Sequence, residues 1–141
     1  MNARLLVSAC ALATALLASD ALGRDLTQRA PRACNAAHVS TTLCREHDVV
    51  LRLAMDTGAQ RYLALAKGSD AGNGATQISL ANAARAVAAY VVLEHFYPDE
   101  QPGLEADLAI ALADIPESQA KADALAAGRR AGEAMIARRA P

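Results

Sequence analysis

Aromatic side chains are scarce in this chain: Trp is absent, Phe occurs once and Tyr three times. A core with so few rings has to be filled by Ala, Leu, Val and Ile. Side chains of that size suit close helix–helix contact and are poor material for a β-sandwich. Charge of one sign is missing too. The formal net charge is −1, which gives no electrostatic footprint for nucleic acid or for an anionic membrane surface. No nucleic-acid partner is expected. The 141 residues fit one domain.

The first stretch, "MNARLLVSACALATALLASDALG", reads as an export signal. Arg4 supplies a short positive start, and Leu5 to Ala18 is an apolar run too short to span a bilayer as an ordinary helix. Small residues place cleavage after Ala21 or after Gly23. "VSAC", ending at Cys10, resembles a lipoprotein box but comes before any adequate apolar run. The expected organisation is a signal peptide at 1–23, an extended arm at 24–43 and a helical domain at 44–141. The destination is periplasmic or secreted, with no membrane association after cleavage.

Export removes Cys10 and leaves Cys34 and Cys44. In an oxidising compartment two cysteines favour a disulfide over free thiols. A zinc site made of Cys34, His38, Cys44 and His47 is the competing reading. Its spacings match no common zinc module, and export favours oxidation over thiolate ligation.

Residues 24–42 contain Pro31 and several polar breakers and show no sustained period, hence the extended arm. From about Cys44 a helical stripe begins: Val50, Leu53, Ala54, Gly58, Tyr62 and Leu65, ending at Lys67 and Gly68. "GSDAGNGAT" is a connector. Its glycines are followed by no Lys-Ser/Thr pair and preceded by no strand, so it is no phosphate cradle. A second helix is expected from about Gln77 to Tyr97, with Leu80, Ala84, Val87, Tyr90 and Val91 buried. Pro98 breaks it, and Pro102 suits the first turn of a third. There Leu104, Leu108, Ala111, Leu112 and Ile115 form an amphipathic stripe. Ser118 can cap a fourth helix that runs to about residue 139. The fold class is therefore all-α, an antiparallel bundle of about four helices.

The last helix presents Leu125, Gly128, Gly132, Met135 and Ile136 on one side, and the two glycines let another backbone approach. This is the candidate interaction face, for a homodimer in particular. His95, between Glu94 and Phe96, has no oriented partner, because neighbours at i+1 on a helix do not face each other. It is expected near the surface and chemically idle, with Phe96 and Tyr97 adding apolar area at the Pro98 corner. The acids Asp99, Glu100, Glu105 and Asp107 serve the first-turn dipole.

The order "VLRLAMDTGAQRYLAL", "ANAARAVAAYVVLEHFYP" and "LEADLAIALADIPESQAKADALAAGRRAGEAMIARR" resembles the N-terminal helical half of secreted vanadium-dependent haloperoxidase-like proteins, relatives of PAP2-type acid phosphatases. The resemblance covers residues 46–140. In that family a later half holds vanadate or phosphate through a Lys with Arg-Pro seven residues on, a Ser-Gly-His segment, and an Arg with His six residues on. Here Lys67 is followed at that distance by Gly74, Lys121 by Gly128, and no Gly-His pair occurs. Arg32 and His38 have the third spacing, but Pro31 stands in place of Ser and the pair lies ahead of the helices. No catalytic residue carries over, and vanadate would require the missing half. The resemblance implies a truncated or split relative with a structural role, whose partner is a catalytic half encoded elsewhere. The alternative is an independent periplasmic helical binding or interaction protein.

Overall fold

A computed structural model of the protein describes residues 26–67 and 74–139. The segment read as a signal peptide and most of the "GSDAGNGAT" connector lie outside the described residues. Within them every regular element is helical. We label residues 26–36 α1. The others are α2 (Thr41–Ala66), α3 (Gly74–Phe96), α4 (Gln101–Leu112) and α5 (Gln119–Arg139), with a 3-10 turn at Pro98–Glu100.

The all-α bundle holds, with a different arrangement inside it. α2, α3 and α5 each pack extensively on the other two, whereas α4 leans mainly on α3. α3 is the centre. From Ala86 to Leu93 every residue is buried, all round the helix, which is the pattern of an element enclosed by neighbours. The expected stripe of Leu80, Ala84, Val87 and Val91 is buried, but the alanines between them are as well. With so little side-chain volume, three backbones can draw together around α3.

The extended arm is corrected by α1. Leu26, Ala30, Ala33 and Cys34 follow i, i+4, i+7, i+8 and turn toward the core, Leu26 with no exposure at all. Pro31 lies on the outer side, where the missing N–H weakens the helix without blocking it. α1 then ends in a Schellman turn. The Val39 N–H donates to the Cys34 carbonyl and the His38 N–H to the Asn35 carbonyl, with His38 at φ 54°. Glycine is the usual residue there, because a Cβ costs about 1–2 kcal/mol in the left-handed region. His38→Gly is therefore expected to raise stability by about 0.5–1 kcal/mol, read from paired denaturant melts. A loss would mean that the imidazole itself is needed.

Serine caps fix the starts of α2 and α5. The Ser40 hydroxyl accepts the Leu43 N–H at 3.3 Å, so α2 starts three residues ahead of the expected Cys44. Ser118 accepts the Lys121 N–H at 3.1 Å and opens α5 as expected. At Pro98 the chain leaves helical geometry at Tyr97, and Pro102 sits in the first turn of α4.

Candidate functional site

The chemistry-bearing side chains gather where the start of α2 meets the ends of α3 and α5. Cys34 and Cys44 are joined by a disulfide, with Cα atoms 6.1 Å apart, linking α1 to the first turn of α2. Both thiolates of the alternative zinc site are thereby consumed. One turn further along α2, His47 stacks on Phe96, ring centroids 3.8 Å apart and planes within 8°. Its Nδ1 pairs with the Tyr97 hydroxyl at 2.8 Å. Arg139, at the end of α5, holds the Glu46 carboxylate at 2.7 Å. His95 is exposed, its ring edge-on to Phe96.

This arrangement joins helices rather than aligning a nucleophile with a base. The Tyr97 hydroxyl is buried and its acidity weakened by that burial. Its partner is the same imidazole that Phe96 covers. Phe96 remains half-buried, so its truncation should cost less than the several kcal/mol of a fully buried ring.

Burial also lowers the proton affinity of His47, with Arg139 and His95 acting the same way and Glu46 opposing them. A folded pKa below the unfolded value means that the unfolded chain binds more protons. The stabilisation is then complete above about pH 6.5 and is lost as pH falls through the folded pKa. Thermal melts between pH 7.5 and 5 (a range on the order of the histidine titration) should show stability falling with acid in the parent. The fall should be shallower in His47→Gln. Equal slopes in parent and variant would remove His47 from the acid response.

Gly128 and Gly132, expected to face another copy, are buried inside the chain. A Cβ at Gly128 would run into the carbonyl oxygen of Ala84 and approach its carbonyl carbon to 3.0 Å. One at Gly132 would meet Val91 at 2.8 Å and the Ala88 carbonyl oxygen at 3.2 Å. Leu125, Met135 and Ile136 are half-buried and pack on the same core. The proposed dimer face is thus the α3–α5 contact. The small residues do permit a close approach, and the approaching backbone belongs to α3 of the same chain.

Other polar groups found by the structure had weaker signals in the sequence. Arg29 of α1 grips Asp107 of α4, through its Nε and by a second contact of 3.3 Å, and lies 3.6 Å from Glu100. Its guanidinium covers Gly103, where a Cβ would strike it. These residues, with Gln28 and Arg32, line a cleft of about 270 Å³. Lys121 is 7% exposed. Its ammonium donates to the Ile115 carbonyl at 3.0 Å, reaches that of Leu112 at 3.5 Å, and pairs with Glu117. A cation in the first turn of α5 opposes that helix's dipole; here it closes the end of α4 instead. That contradiction was the legible sign of a tertiary task.

Tyr62 is 2% exposed and its hydroxyl has no hydrogen-bond partner among the described residues. Removing an unsatisfied buried hydroxyl relieves a desolvation penalty of about 1–3 kcal/mol. Tyr62→Phe should therefore stabilise the fold by about 1 kcal/mol in denaturant melts, and a loss of that size would reveal a partner for the phenol.

Among the described residues no group of three or more His, Cys, Asp or Glu side chains is placed to hold a metal ion, and no helix is long and apolar enough to cross a membrane. No protein-family model matches the chain, and neither the curated proteins nor the solved structures contain a match.

Proposed function

We propose that this chain is an exported helical module whose role is structural, exercised through contacts of its outer surface. The observation that carries the reading is that surface. Val49, Leu53 and Leu63, on one side of α2, are large apolar side chains left at 38–55% exposure. In a small domain such groups, when they share a face, mark contact with another protein. The Cys34–Cys44 disulfide supports an oxidising destination, as does the signal-like start. The order of segments over residues 46–140 supports a relation to the front half of haloperoxidase- and PAP2-like proteins, and rests on that order alone.

Expression with the native N-terminus, followed by fractionation and intact-mass measurement, tests export. A processed chain beginning after Ala21 or Gly23, oxidised and inert in phosphatase and haloperoxidase assays, is the expected result. An unprocessed, reduced chain, or turnover by the chain alone, would overturn the reading. The adjoining reading frame tests the split-enzyme version: a product carrying the Lys, Ser-Gly-His and Arg/His motifs should copurify with this chain.

A further inference from the structure

We propose that two copies of this chain pair antiparallel along the outer side of α2. Opposite its buried stripe, α2 and its cap carry Val49, Leu53, Asp56, Gln60, Leu63 and Lys67 at alternating steps of four and three residues. All six are exposed, Val49 at 55%, Leu53 at 52% and Leu63 at 38%. Alternating steps of this kind make the contact seam of paired helices. The inner side of α2 is taken by α3 and α5.

The spacing is symmetric about the level of Gly58, so antiparallel pairing also brings all six positions into register. With two helices antiparallel about that point, Leu53 meets Leu63 of the second copy, and Leu63 meets its Leu53. Asp56, one oxygen of which is held by Arg85 of α3 at 3.0 Å, faces Gln60, whose amide can donate to the other oxygen. Lys67 lays its stem across Val49 and keeps its ammonium in water. Parallel pairing would instead set Asp56 against Asp56, a repulsive contact that antiparallel pairing avoids. A two-fold contact of this kind is closed and self-complementary. With three large apolar residues per copy, it belongs at the small end of specific interfaces, with a dissociation constant on the order of 10 μM.

The inference deepens the surface-contact reading by naming the partner, and its test is independent of export and of any catalytic half. Sedimentation equilibrium of the purified oxidised chain, its N-terminus defined by mass, should show a monomer–dimer equilibrium. Leu53→Lys and Leu63→Glu should each weaken the dimer about tenfold or more, since each buries a charge against leucine. The double variant L53K/L63E should recover most of the loss, because each Lys then meets a Glu of the other copy. Within one chain those positions lie about three turns apart and cannot pair. Unchanged melts would show that the exposed substitutions leave the fold intact. A monomer up to about 500 μM, a dimer indifferent to both single variants, or a double variant weaker than either single one would each overturn the proposal.

Discussion

Gly128→Ala is expected to destabilise the bundle by about 3 kcal/mol, although alanine is the better helix former by about 1 kcal/mol. The new methyl meets the Ala84 carbonyl, which is backbone held in the middle of α3. It cannot turn aside as a side chain would, so α5 must lift from α3 and loosen the packing on both sides. Gly132→Ala meets mainly the Val91 side chain, which can adjust, and a net cost of about 1 kcal/mol is expected. Gly58→Ala has its nearest contacts at 3.2–3.4 Å, and the helix-propensity gain should bring it close to neutral. Denaturant melts of the three variants provide the check. The order Gly128, Gly132, Gly58 is the claim; equal costs would mean that the helices are less closely opposed than described.

The second large effect is expected on reduction. The Cys34–Cys44 bridge spans a sequence separation of 10, and constraining a loop of that length contributes roughly 2.5–3 kcal/mol in the chain-entropy account. For a domain of this size, that corresponds to a fall of about 10–20 °C in Tm. The fold should survive. α1 keeps buried Leu26 and the Arg29–Asp107 pair, neither of which depends on the bridge. A thermal melt with and without reductant, alongside a Cys34→Ala/Cys44→Ala double variant, measures the effect. An unchanged Tm, or native-state reaction of Cys34 and Cys44 with a thiol reagent before reduction, would contradict it.

Much of the candidate site was legible as residue types but not as an arrangement. The disulfide followed from two cysteines and an export-like start. His95 was expected to be exposed, and is. In the sequence His47 reads only as a possible zinc ligand; its stack on Phe96 and its bond to Tyr97 join positions about fifty residues apart, a distance no local pattern encodes. Arg29 and Asp107 are separated by 78 positions, and either alone reads as a solvated charge.

What the sequence determined by itself was local. Apolar periodicity, Ser118 before α5, the Pro98 break and Pro102 just beyond it specify helices and their ends, because backbone geometry and capping act within a few residues. The tertiary structure decided which surfaces those helices share. α1 is not legible locally, because Pro31 interrupts a short stripe whose burial depends on the bundle beside it. The glycines of α5 announced a close approach without naming the approaching backbone, since a missing Cβ constrains distance and carries no address. Packing against Ala84 and Ala88 of α3 supplied that address and, among the described residues, left the outer side of α2 exposed.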